Sequence, residues 1–205
     1  MSSKTIVCIY TEGETDKIFY DRILDFIKTK SSNKKFIVEE IKKFNISGIG
    51  NFKTKLINKF KKEINIKKYK DYNKVVVLCY DEDVFDLVNQ TPPIDRKQLE
   101  KELKSEGADA VMHLIARKSI EDIFLIDLDN IIKTLGISIN TKNLSGSGFQ
   151  KLKTLYKKSN NVYVKGAKVE PFVYKLDIEK ICNTQCEIYC MLCQVLLGQK
   201  ACSNC

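Results

Sequence analysis

The sequence predicts an α/β fold, a mainly parallel sheet flanked by helices, followed by a helical, cysteine-rich C-terminal segment. Three observations carry that prediction. Two apolar runs, Ile6-Val7-Cys8-Ile9-Tyr10 and Val75-Val76-Val77-Leu78-Cys79-Tyr80, are rich in β-branched residues and have the length of strands buried on both faces. Such runs alternate with segments of helical apolar spacing, the order expected of βαβ units. Each of the two runs is also followed at once by acids, in Thr11-Glu12-Gly13-Glu14-Thr15-Asp16 and in Asp81-Glu82-Asp83. The carboxyl ends of parallel strands are where open α/β sheets place their ligands.

The elements follow in order. A first strand spans Thr5 to Tyr10. A helix after Gly13 carries Ile18, Phe19, Ile23, Phe26 and Ile27 on one face. Phe36 to Phe44 reads as a second strand, and Ser47-Gly48-Ile49-Gly50-Asn51 turns into a basic helix reaching Ile64. Val75 to Tyr80 is the third strand, followed by a loop around Pro92-Pro93. Arg96 to Glu106 is a helix with Glu100 and Lys104 paired at i,i+4, and Ala110 to Ala116 a fourth strand. Ser119 to Leu135 is a helix ended by Gly136. Ser145-Gly146-Ser147-Gly148 leads into a helix from Phe149 to Lys158, Val162 to Val164 is a short strand, and one long helix starts near Leu176. Residues 1–175 form the body and 176–205 a C-terminal extension packed on or beside it.

The 205 residues are 43% hydrophobic and 30% charged, as in an ordinary globular domain. No apolar stretch approaches the roughly 20 residues of a membrane-spanning helix, and no secretory leader is visible, so a cytoplasmic location without membrane contact is the expectation. The net charge of +9 is uneven: Lys53 to Lys70 and Lys142 to Lys168 each carry a net +7, so the rest of the chain is acidic. Basic flanks beside an acidic body suit a polyanionic substrate, because lysines displace counterions from phosphates. Lys53, Lys55, Lys59, Lys151, Lys153 and Lys168 are the candidate nucleic-acid contacts. Charge runs are also ordinary solvated helix faces, and the sequence leaves both readings open.

Of eight cysteines, Cys8 and Cys79 fall within core strands and read as small buried hydrophobes. Cys182, Cys186, Cys190 and Cys193 are spaced 4, 4 and 3 apart, a stripe on one helical face. Cys190, Cys193, Cys202 and Cys205 also form two CxxC pairs, which admits a Zn²⁺ site. The gap between those pairs is short and apolar and neither holds a turn glycine, so the stripe is the favoured reading. Disulfides are disfavoured in a reducing compartment.

Like charges gathered at a sheet end are costly unless a cation neutralises them, which points to a Mg²⁺-type site. Glu12 sits at the exit of the first strand, where Gly13 permits a tight turn. Asp16 lies one helical turn on, where it also serves as a favourable N-terminal charge. Asp81 and Asp83 alternate along an extended chain and so share a face. Ser119-x-x-Asp122 is a capping-box pattern, and Glu121 lies within it. His113 is the sole histidine and falls within a predicted strand, which counts against Ser-His-Asp hydrolases and histidine-metal nucleases. No GxxxxGK[ST] is present, so the sequence holds no P-loop ATPase signature.

Glu12-Gly13-x-x-Asp16, Asp81-x-Asp83, Ser119-x-Glu121 and the late Lys165-Gly166, in this order, resemble the TOPRIM domain, a Rossmann-like fold. The resemblance is to the branch of OLD-family and stand-alone defence nucleases, and it covers roughly residues 5 to 125. It implies a Mg²⁺- or Mn²⁺-dependent nuclease using two ions, in a setting of prokaryotic defence against phage. Glu12, Asp81 and Asp83 would hold the first ion, with Asp16, Ser119 and Glu121 helping to place a second. Glu12 would serve as ligand or general base, and Lys165 would offset charge on the phosphoryl group. OLD proteins carry an ATPase on the same chain, so a separate ATPase or defence partner is implied, and a homodimer is compatible. TOPRIM ribonucleases that cut structured RNA share the same carboxylates, so DNA and RNA both remain. The non-enzymatic alternative is a TOPRIM-like domain that binds nucleic acid or a partner.

Overall fold

The computed structural model describes residues 4–31, 36–82, 95–165 and 171–198. Four strands form its sheet: β1 Lys4–Thr11, β2 Glu40–Asn45, β3 Tyr72–Asp81 and β4 Ala110–Ala116. All are parallel, in the order β2-β1-β3-β4. The two apolar runs occupy the centre, where alternate side chains enter two cores. Val7, Ile9, Val77 and Cys79 face one core, and Ile6, Cys8, Tyr10, Val76, Leu78 and Tyr80 the other.

The first core is closed by α1 (Glu14–Lys30) through Phe19, Ile23 and Ile27, and by most of the C-terminal half. That half comprises α4 (Ile120–Phe124), α5 (Leu128–Leu135), α6 (Gly148–Lys158), α7 (Ile178–Thr184) and α8 (Cys186–Leu197). Residues 176–197 thus belong to the same core as the sheet. Arg22 of α1 reinforces the join by donating to the carbonyls of Val173 and Leu176. The second core lies under α2 (Ile57–Glu63) and α3 (Arg96–Ser105), through Phe60, Leu99 and Leu103. Burying each such side chain stabilises the fold by about 1.5–3 kcal/mol.

β1 and β3 are neighbours, yet the chain leaves β1 for α1 on one face and next enters, after β3, α3 on the other. Connections leaving adjacent parallel strands in opposite directions open a crevice at their carboxyl ends. Glu12 and Asp81 stand at that point.

Five expectations need correction. β2 starts at Glu40 rather than Phe36, because Ile37 N–H turns away from the sheet to the Leu196 carbonyl of α8 at 2.9 Å. The basic helix opens with a 3-10 turn (Ile49–Asn51) and a π turn (Phe52–Leu56) before α2. Phe52, Leu56, Phe60 and Ile64 all reach the core; a spacing of four drifts off a 3.6-residue face, and the wider π turn absorbs that drift. The helix from Ser119 breaks at Asp127, whose buried carboxylate is taken by Asp177 N–H at 2.7 Å, Asn130 at 2.8 Å and Lys180 at 3.4 Å. Val162 to Val164 forms no regular element and pairs with no strand of the sheet. The final helix is two helices, α7 and α8, separated at Gln185. That break puts Cys182 on α7 and Cys186, Cys190 and Cys193 on α8; Cys182 and Cys193 are buried thiols, whereas Cys186 and Cys190 are disulfide-bonded, against the expectation that disulfides are disfavoured.

Candidate active site

The turn after β1 is built around Thr11, whose buried hydroxyl donates to the Gly13 carbonyl at 3.1 Å. Glu12 is thereby held at the strand end, and its Oε1 accepts the backbone N–H of Asp81 at 3.1 Å. One side chain so ties the ends of β1 and β3 together. Asp16 occupies the N3 position of α1 and accepts Gly13 N–H at 2.9 Å through Oδ2, which is the capping role its position in sequence suggested.

Asp81 is 4% exposed and fully engaged. Its Oδ1 accepts Ile120 N–H at the start of α4 at 2.8 Å, and its Oδ2 accepts the Lys165 ammonium at 2.6 Å. Glu121, 0% exposed, accepts the Tyr163 hydroxyl at 3.1 Å on Oε1. Its Oε2 is buried without a hydrogen bond, 3.7 Å from Lys165 Nζ. Glu12, Asp16, Asp81 and Glu121 therefore gather around one ammonium, beside a cleft of about 500 Å³ that Glu12, Gly13, Asp16, Ser47, Gly48, Ile49 and Lys165 line.

Burial and mutual repulsion show in the proton affinities. Burial first, then the charges of Asp81 and Asp16, push Glu12 up to about 8. Burial, with Asp81 and Glu121, pushes Asp16 up to about 7. Burial also raises Asp81, against the opposing pull of Lys165. Near neutral pH the cluster thus takes up protons or another cation. Its donors are all carboxylate oxygens, the hard ligands that suit Mg²⁺ or Mn²⁺, and Glu121 Oε2, which accepts no hydrogen bond among the described residues, has only a loose ion pair with Lys165. Among the described residues no three such side chains are drawn close enough to form a finished metal shell. Lys165 Nζ is instead the cation found against Asp81.

Of the residues singled out from sequence, Glu12, Asp16, Asp81, Glu121 and Lys165 come together here. Ser119 does not join them through its hydroxyl, which donates to Asp122 Oδ2 at 2.9 Å within the first turn of α4. Asp83, Lys168, Gly166, Cys202, Cys205 and the Pro92-Pro93 loop lie outside the described residues. Cys190, in a disulfide, offers no thiolate to a Zn²⁺ ion while that bond stands, and Cys193 is a buried thiol. Lys151 and Lys153 lie on α6, whose first residue, Gly148, abuts Glu121 and Asp122. Lys55 and Lys59 line a second cleft that Lys53 does not. Sequence reading missed Tyr163 and the Ile120 N–H. Tyr163 sits in an unremarkable Val-Tyr-Val run, and a backbone donor leaves no residue signature. The Ser47-Gly48 lining was visible only as a turn.

Compared with protein-family models, curated proteins and solved structures, the chain matches none. No helix among the described residues is long and apolar enough to cross a membrane.

Proposed function

We propose that the protein is a Mg²⁺- or Mn²⁺-dependent nuclease of TOPRIM type that hydrolyses phosphodiester bonds at the crevice between β1 and β3. One observation carries the reading: four carboxylates converge at the switch point of a parallel sheet with, among the described residues, a single lysine to balance them. A fold gains no stability from such crowding, since burial and repulsion drive Glu12 and Asp16 to hold protons near neutral pH.

Glu12, Asp81, Asp16 and Glu121 would hold the divalent ion. When bound, it supplies positive charge to the phosphoryl oxygens and makes a bound water more acidic. Glu12, anchored by Asp81 N–H and lining the cleft, is the group suited to accept the proton of the attacking water. Lys165, held 2.6 Å from Asp81 Oδ2, is 41% exposed in its side chain, which leaves it room to swing toward a phosphoryl oxygen. Ile120 N–H and the Tyr163 hydroxyl keep Asp81 and Glu121 in place throughout. Defence against phage and a separate ATPase partner belong to the same proposal and rest on the resemblance alone.

The test is incubation of the purified protein with supercoiled plasmid and with structured RNA, in Mg²⁺ or Mn²⁺ and in EDTA, beside Asp81→Ala. Metal-dependent cleavage that falls to the no-protein level in the variant supports the reading. Cleavage unchanged by the variant, or absent on both substrates, refutes it.

A further inference from the structure

A second cleft, of about 400 Å³, opens next to the first, and the two share Ser47. One wall is a single face of the helical stretch after β2, carrying Lys55, Asn58, Lys59 and Lys62. Their spacing of i, i+3, i+4 and i+7 follows from the amphipathic pattern, because Phe52, Leu56, Phe60 and Ile64 take the core side. Lys55 and Lys62 are exposed, and among the described residues neither is in an ion pair. Lys59 lies over the Phe44 ring at 5.2 Å and 3.6 Å from Glu63. Seven residues of helix place Lys55 and Lys62 about 10 Å apart.

The loop joining the two clefts is rigidly tied to the carboxylate site. Gly48 N–H donates to the Glu12 carbonyl at 2.8 Å, and Ile46 N–H to the Thr11 carbonyl at 2.9 Å. Ser47 and Gly48 both have positive φ, 61° and 104°, and space beyond Gly48 is open. A chain of phosphates passing Gly48 from the carboxylates would reach Lys55, Lys59 and Lys62, in a cleft that Glu63, the partner of Lys59, also lines. A cleft near 400 Å³ has the size of a small-ligand site, which admits one sugar–phosphate strand at a time.

We infer that this lysine cleft is the track for the phosphodiester backbone on one side of the scissile bond, holding two or three successive phosphates of one strand of nucleic acid. The inference rests on the nuclease reading for the identity of the polyanion, and it goes further in assigning the strand's path to the Ser47 side, to Lys55, Lys59 and Lys62. Contacts of this kind hold the backbone without reading sequence.

The test is fluorescence anisotropy with a fluorescein-labelled 20-nucleotide DNA, single-stranded and as a duplex, in EDTA so that binding is read apart from cleavage. The variant is Lys55→Gln/Lys59→Gln/Lys62→Gln. A control with the same charge change, Lys133→Gln/Lys157→Gln/Lys158→Gln, alters the C-terminal turns of α5 and α6. Loss of three phosphate contacts weakens binding on the order of 10-fold or more at 100 mM salt and lowers the salt slope by about 2, while the control stays within about twofold. Thermal melts verify that both variants fold. Absent binding to both DNAs, or equal loss in variant and control, overturns the track. A protein that binds in this lysine-dependent way but does not cut keeps the track and loses the nuclease reading. A protein that cuts with a KM unmoved by the triple substitution loses the track alone.

Discussion

Lys165→Met removes the one ammonium that, among the described residues, is paired with the buried Asp81 and Glu121. Its Nζ is 2.6 Å from Asp81 Oδ2 and 3.7 Å from Glu121 Oε2, and those two side chains are nearly inaccessible to water. Stripping the partner from a fully buried charge costs about 3–5 kcal/mol, whereas exposed pairs contribute up to about 1 kcal/mol. With the lysine two-fifths exposed, screening places the loss between these, near about 2 kcal/mol at pH 8.5. For a chain of this length that is a Tm lower by roughly 4–8 °C. The loss must depend on pH. Glu12 titrates near 8 in the fold against 4.5 ordinarily, and Asp16 near 7 against 3.8. Between those limits the folded chain holds more protons than the unfolded one, so this stabilisation is complete at low pH and is lost as pH rises through 7 to 8. At pH 5.5 Glu12 and Asp16 are largely protonated, so the ammonium offsets less repulsion there and the gap between the two proteins should be smaller than at pH 8.5. Circular-dichroism melts in EDTA at pH 5.5 and 8.5 measure both differences. A Tm gap that is the same at both pH values would refute the electrostatic account of the cluster.

Two further substitutions test how the site is held. Tyr163→Phe deletes the hydroxyl that Glu121 accepts, at 3.1 Å, and among the described residues leaves both carboxylate oxygens without a hydrogen bond. The expected cost is about 1–3 kcal/mol in chemical denaturation, with a falling kcat at little-changed KM; an unaltered midpoint would contradict the positioning role. Gly148→Ala would set a Cβ 2.5 Å from Asp122 N and 2.8 Å from the Glu121 carbonyl carbon, both backbone atoms that cannot swing aside. Pushing α6 off α4 should cost about 1–3 kcal/mol by the same measurement, and a neutral outcome would show that the two helices do not meet as described.

The centre of the fold was legible because its signals are local. Each of the two apolar runs contains its own evidence for a doubly buried strand, and the acid after each marks the carboxyl end, so Glu12 and Asp81 followed from sequence. The parts misread depend on distant partners. Asp127 looks like a solvated helix residue until the Asp177 N–H, fifty residues on, claims its carboxylate and breaks the helix. Val162-Tyr163-Val164 has strand composition, but its role is to present the Tyr163 hydroxyl to Glu121 rather than to join a ladder. Ser119 fitted both a cap and a ligand, and the structure gives its hydroxyl to Asp122. The cysteines were legible as a helical stripe only so long as the helix was taken as unbroken, and the separation at Gln185 divides them.

The central claim is that the four carboxylates are a divalent-cation site, and calorimetric titration of Mn²⁺ into the metal-free protein at pH 7 tests it most directly. Glu12 and Asp16 hold protons near that pH, so an ion entering among them must displace protons. Run in two buffers of different ionisation enthalpy, the titration should show saturable binding with release of about one proton per ion, weakened at least roughly tenfold in Asp81→Asn. Binding without proton release, binding equal in the variant, or none up to millimolar Mn²⁺ would contradict the account.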